Sequence, residues 1–225
     1  MRTTALKTRR WAATAAICCA LVAGCSSGGD TGGGAVGGAP ALKQEPKPLA
    51  VGELDPLLLS STDLGYGYIQ NPATAPEQQG EHDDVSIQGC AALEQLGKGE
   101  GDLNFASKVD VSFTYDTSTL GEELHSDRPS VLSSKLRKQF EAYLACPTYT
   151  MTSGTTPIEV QVSKSATPKL GDEQFAYATT LNLPSGPQIM KTLAVRKGNV
   201  AVILVGAPGL VDRHIDKAVS KLPAT

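Results

Sequence analysis

Val200-Ala201-Val202-Ile203-Leu204-Val205 is an apolar run without a polar break, and it constrains the fold more than any other stretch. A strand with one wet face alternates apolar and polar residues, so this run reads as a strand covered on both faces. Its neighbours precede it. Ile158 to Val162, Phe175 to Leu183 and Ile189 to Val195 are separated by Lys169-Leu170-Gly171-Asp172, Pro184-Ser185-Gly186-Pro187 and Lys197-Gly198-Asn199. Short turns between successive strands imply antiparallel pairing, so the segments read as a meander. Upstream, Val109, Val111, Phe113 and Tyr115 alternate with Lys108, Asp110, Ser112 and Thr114. That is a half-buried strand, with Thr119 to His125 as its hairpin partner.

Pro129 to Ala145 has the clearest helical period. Leu132, Leu136, Phe140, Tyr143 and Leu144 form one stripe, while Lys135, Arg137, Lys138 and Glu141 take the wet side. Asp127 offers a cap oxygen, and Cys146-Pro147 ends the helix. Leu210 to Leu222 repeats the pattern with Val211, Ile215, Ala218, Val219 and Leu222. Ser86 to Leu96 sets Cys90, Ala92, Leu93 and Leu96 at helical spacing. A short helix is expected over Leu54 to Leu59, then a brief strand at Tyr66 to Ile69 and a polar loop from Asn71 to Asp84. The expected class is α+β: an antiparallel sheet of about six strands with two to three helices packed on it, in one domain over residues 51–225.

The beginning of the chain reads as an address. Arg2, Lys7, Arg9 and Arg10 precede the apolar stretch Trp11 to Ala23, which is too short to span a bilayer and is followed by Gly24 and Cys25. Residues 1–24 are therefore expected to be a secretory signal, and Thr8-Arg9-Arg10 leaves twin-arginine export open beside the general route. Leu21-Val22-Ala23-Gly24-Cys25 resembles the lipobox of bacterial lipoproteins. The resemblance implies a thioether-linked diacylglycerol on Cys25, further acylation such as palmitate, and cleavage before that cysteine. Ser26 to Ala39 is nearly all Gly, Ser, Ala and Thr and runs into Pro40 and Lys43-Gln44-Glu45-Pro46-Lys47-Pro48, so residues 25–50 carry too little apolar mass to fold and read as a tether with a reach of roughly 27 Å. The expected location is the outer face of the cell membrane, held by lipid.

Loss of the leader changes the charge. It removes Arg2, Lys7, Arg9 and Arg10, taking 20 basic residues to 16 against 23 acidic ones, and the formal charge from −3 to −7. Such a surface repels phosphate backbones, so nucleic acid is a poor partner. Cys18 and Cys19 leave with the signal, and Cys25 is the lipidation site, which leaves Cys90 and Cys146. Two thiols outside the membrane usually pair; the alternative is two free buried thiols.

Taken together, the lipobox, the segment Leu57-Leu58-Leu59-Ser60-Ser61-Thr62-Asp63-Leu64-Gly65, a cysteine in an early helix, another closing the long helix, and Gly198-Asn199 before the apolar run and last helix resemble actinobacterial-type envelope lipoproteins. They are also similar to the extracellular sensor domains of bacterial receptor Ser/Thr kinases. Those domains carry two disulfides where this chain can make one. The resemblance implies a sensor-like binding domain and no catalytic residues.

The chemistry-bearing residues agree with that. There is no Gly-x-Ser-x-Gly, Ser-x-x-Lys, His-Glu-x-x-His or phosphate loop, so no enzyme, cofactor or catalytic residue is expected. Glu81-His82-Asp83-Asp84 has metal-ligand chemistry, but consecutive loop residues seldom converge, and a solvated acidic loop is the plainer reading. His125 and His214 read as surface histidines. Tyr66 and Tyr68, bracketed by Gly65 and Gly67, are the candidate ligand-binding pair, against the alternative that they pack at the sheet edge. The expected function is a membrane-anchored binding or sensing module for a small ligand or an envelope protein. The alternative is a structural or lipid-handling envelope protein.

Overall fold

A computed structural model describes residues 45–72, 85–97 and 103–224. Cys25, the leader, nearly all of the tether, and the Glu81-His82-Asp83-Asp84 loop lie outside these residues. The strands are β1 (Tyr68–Gln70), β2 (Val85–Gln88), β3 (Ser107–Tyr115), β4 (Ser118–Ser126), β5 (Thr148–Ser153), β6 (Thr156–Lys164), β7 (Glu173–Leu183), β8 (Gly186–Lys197) and β9 (Val200–Gly206). They form one antiparallel sheet in the order β1-β3-β4-β9-β8-β7-β6-β5-β2. The helices are α1 (Val51–Leu54), running into a 3₁₀ turn at Asp55–Leu57, α2 (Ser61–Leu64), α3 (Ala91–Gly97), α4 (Pro129–Leu144) and α5 (Pro208–Lys221).

The α+β class holds, with nine strands in place of about six. β5 was not expected because its sequence, Thr-Tyr-Thr-Met-Thr-Ser, buries little beyond Tyr149. Its pairing with β6 and β2 is a matter of backbone ladder more than of apolar surface. The helix expected over Ser86 to Leu96 is divided. Val85 to Gln88 is a strand, Gly89 breaks the chain at φ 85°, and the helix starts at Ala91. Asp127 does not cap α4 as expected. Its Oδ1 accepts from the Arg128 N–H and its Oδ2 meets Lys135 at 3.1 Å. The exposed first turn is served from the tether side instead, where Glu45 accepts from the Ser130 N–H and Oγ at 3.0 and 2.8 Å.

β9 is covered on both faces, as its run requires. Val200, Val202 and Leu204 belong to one core, with Leu193 and Val195 of β8, Leu120 and Leu124 of β4, Phe113 of β3, Leu210, Val211, Ile215 and Ala218 of α5, and Leu54, Leu59 and Leu64 of the segment entering the domain. Ala201 and Ile203 belong to the other core, with Leu132, Leu136 and Phe140 of α4, Leu93 of α3, and Val160 and Tyr177. The coverage is offset. α5 lies on β8 and β9, and the entering segment reaches β3. On the opposite face α4 lies on β6, β7 and β9, leaving the β1–β3–β4 side of that face without a helix among the described residues.

Two glycines are fixed by close approach, Gly206, where a Cβ would run into the Thr119 carbonyl oxygen, and Gly171. Gly171 has φ 62°, and a Cβ there would run into the Arg196 carbonyl oxygen and come within 2.8 Å of Val195 Cγ1. Gly154, at φ 58°, has open space around it. Gly171→Ala is expected to lower unfolding free energy by about 2 kcal/mol or more in urea titration, and Gly154→Ala by about 1 kcal/mol. Equal losses would refute the contact argument.

Candidate functional site

Cys90 and Cys146 form a disulfide, with Cα atoms 5.7 Å apart. It joins the residue before α3 to the residue two past α4. Tyr66 and Tyr68 do not share an opening. Tyr66 is fully exposed in the turn between two positive-φ glycines, Gly65 and Gly67. Tyr68 is buried, stacked on Tyr115 at 4.5 Å, with its hydroxyl 2.6 Å from His214 Nε2.

The two histidines correct the expectation of surface residues, since each is about 5% exposed or less. His214 lies on the inner stripe of α5, one turn from Leu210 and from Ala218. Burial, with Arg213 beside it, pulls its imidazole below the ordinary value, so the ring takes the Tyr68 contact without carrying charge. His125 faces the α4 side of β4, edge-on to Phe105 at 4.2 Å, with Nε2 2.7 Å from Glu123 Oε2.

Glu122 and Glu123 are adjacent in β4 and face opposite sides of the sheet. Glu122 points into the α5-side core between Leu120 and Leu124, where it is 1% exposed. Its Oε2 accepts from the Leu59 N–H at 2.6 Å, and Oε1 has no partner within the protein. Burial raises its carboxyl to about 7, with the Leu59 bond and the Lys221 charge opposing. Lys221 spans this region, donating to the Leu58 carbonyl and pairing with Asp63 at 2.7 Å. Lys221 holds the Asp63 carboxyl well below the ordinary range, against a smaller desolvation effect and with help from Ser60 and Lys217. A polar clamp thus fastens the entering segment to β4 and to the end of α5.

Glu123 lies on the side that α4 leaves open. Burial alone would push its carboxyl up, but the His125 hydrogen bond and Lys108, 3.3 Å away, bring it to about 2. It is therefore an ionised carboxylate, with 37% of its side chain exposed. Around it, strand alternation places Ile69 of β1, Ser112 and Thr114 of β3, Gly121 of β4 and Val205 of β9 on the same face. Asn71 ties Ser112 and Thr114 together at 3.0 and 2.9 Å. Tyr143 of α4 stands close enough for the Glu123 charge to raise its phenol, after burial, and it stacks on Tyr177 at 4.6 Å. Burial also raises Tyr177 strongly, so both phenols keep their protons.

This is a shelf with a polar and apolar floor, bounded by α4. It offers the fixed carboxylate of Glu123, the exposed Asp110 directly across the β3–β4 ladder from it, the half-buried Tyr143, hydroxyls and patches of apolar surface, a set suited to holding a ligand. On the other flank of α4 a cleft of about 270 Å³ is lined by Phe140, Leu144, Phe175, Ser165, Thr167 and Gln174, among others. Among the described residues no three His, Cys, Asp or Glu side chains converge as a metal site would require.

No protein-family model matches the chain, and no curated protein matches it. Several solved chains are similar, among them two from mycobacteria. The extracellular domain of PknH from Mycobacterium tuberculosis aligns over 78% of this chain and 97% of its own length, with 14% identity and a TM-score of 0.51. An uncharacterised protein from Mycobacterium smegmatis aligns over 76% of this chain and 94% of its own, with 10% identity and a TM-score of 0.40. The chain shares the fold of the PknH extracellular domain.

Proposed function

We propose that the chain is an extracytoplasmic binding or sensing module, lipid-anchored at Cys25 on the outer face of the cell membrane. The observation that carries the binding reading is the half-face of the sheet beside α4 that no helix covers among the described residues, with ionised Glu123 in its floor. The address at the head of the sequence, the disulfide, and a fold shared with a domain that is extracellular in PknH support the location. The occupant is a small ligand or a segment of an envelope protein, and the module is read as a binder and not an enzyme.

Gly121 provides the test. A Cβ built there meets nothing closer than the Val205 carbonyl at 3.7 Å, so Gly121→Phe should fill the shelf and leave the fold intact. Native mass spectrometry of the protein released from its own membranes is expected to show a non-covalent adduct on the wild type, reduced at least tenfold on the variant. No adduct, or equal adduct on both, would overturn the reading. A phospholipid adduct that survives the substitution would favour lipid handling. Cys25→Ser is expected to block lipidation and normal processing, measured by fractionation, and a variant still processed and membrane-held would remove the anchor.

A further inference from the structure

Cations without carboxylate partners gather at one end of the domain. The β8–β9 turn, the connection into β7, the start of α4 and the first described residues of the chain meet there. Asn199 Nδ2 donates to the Lys47 carbonyl, the Asp127 N–H to the Asn199 carbonyl, and the Asp172 N–H to the Arg196 carbonyl. Around this junction stand Lys47, Arg128 and Lys169, all exposed, and the half-buried Lys197. Among the described residues none of the four forms an ion pair; Lys197 donates to the Leu222 carbonyl at 3.3 Å. Of the carboxylates beside them, Asp127 is paired with Lys135, and Asp172 and Glu173 with Arg196, while the exposed Glu45 accepts from Ser130 and pairs with no cation among the described residues, which leaves the cations in excess. The opposite end of the β3–β4 hairpin lies roughly 30 Å away, and it carries the exposed Asp116.

An acidic chain therefore turns a cationic end toward the point where the sequence from Cys25 arrives. We propose that this end docks on a membrane surface of anionic phospholipid headgroups through Lys47, Arg128, Lys169 and Lys197. The stretch between Cys25 and Glu45 reaches roughly 25 Å as a chain of its composition, so the end that carries these cations is the one kept within range of the headgroups. Four charges spread over several loops suit a charged plane better than a single phosphate, which would call for convergent donors. Docking fixes which way the domain faces and leaves the β3–β4 turn pointing away from the bilayer. The inference rests on the anchor proposed above.

The test is lysine acetylation read by mass spectrometry on the membrane-extracted protein in nanodiscs of phosphatidylcholine, with and without phosphatidylglycerol. Lys47, Lys169 and Lys197 are expected to react at least threefold more slowly in the anionic discs, with Lys164 of β6 unchanged. High salt should remove the difference, because the screening length falls from about 8 Å at physiological ionic strength to about 3 Å at 1 M. Equal rates in the two disc types, or slowing shared by every lysine, would overturn the docking. If Cys25 carries no lipid and the protein does not enter discs, the anchor has failed. The same footprint with vesicles of the two compositions then decides the docking by the same two results.

Discussion

Replacing Cys90 and Cys146 together by alanine is expected to lower the unfolding free energy by about 4 kcal/mol, the chain-entropy value for a loop of this size. The separation of 56 residues is large, so the reduced chain gains many conformations. The effect should be local before it is global. β2 and α3 are the last elements at the β5 end of the sheet, and they hold on through the β2–β5 ladder, the packing of α3 on α4 and the disulfide. Cys90 is 2% exposed and lies in the same core as Leu93, Leu136 and Phe140. Hydrogen exchange should show amides of β2 and α3 losing protection first, with β3, β4, β8 and β9 following only at global unfolding. An unchanged denaturation midpoint, or free thiols in the protein purified without reductant, would contradict this account.

The second large effect is a pH dependence set by Glu122. Its folded carboxyl titrates near 7 against an ordinary 4.5, so between these values the folded chain holds a proton that the unfolded chain has released. Stability is therefore highest below pH 4.5 as far as this group is concerned, falls as pH rises, and levels off above 7. A gap of that size corresponds to about 3 kcal/mol. Asp63 and Glu123 have lowered values and act in the other direction, losing their contribution only as pH falls below about 4. His214, whose folded value lies below the ordinary 6.5, titrates inside the window from 4.5 to 7 and acts against Glu122, losing stability as pH falls, so the Glu122 contribution is read as a difference between wild type and variant. Glu122→Gln keeps an acceptor for the Leu59 N–H and cannot ionise. Its stability relative to the wild type, followed by denaturant unfolding, should rise by about 3 kcal/mol as pH goes from 4.5 to 7. A difference between wild type and variant that stays constant across the window would show that the buried carboxyl does not titrate there and would refute the account.

The elements legible in the sequence were those whose burial imposes a period. β9 was an apolar run, β3 alternated, and α4 carried a buried stripe of Leu132, Leu136 and Phe140, while Leu144, expected on the same stripe, is exposed. β5 and β2 were hidden because strands near a sheet edge are specified by backbone pairing, and their half-exposed Thr and Ser residues carry no such period. Gly89, the residue that turns β2 into α3, reads in sequence as an ordinary helical neighbour until its positive φ is known. Two polar residues were legible and passed over. Glu122 occupies the inward place between Leu120 and Leu124, and His214 sits on the stripe of Leu210, Val211 and Ala218. The shelf itself was not legible, since it arises from helices lying on opposite faces of the sheet at offset positions. Nor was the separation of Tyr66 from Tyr68, because two tyrosines flanked by glycines look alike before one is placed in the core.

The anchor is the claim on which location, tether and orientation all depend, and the mass of the amino-terminal peptide of the protein extracted from its own membranes tests it most directly. The predicted result is a peptide that begins at Cys25 and carries a diacylglyceryl group on its sulfur, with further acylation adding fatty-acid increments. A peptide that begins at any other residue, or one that begins at Cys25 with an unmodified thiol, would contradict the account.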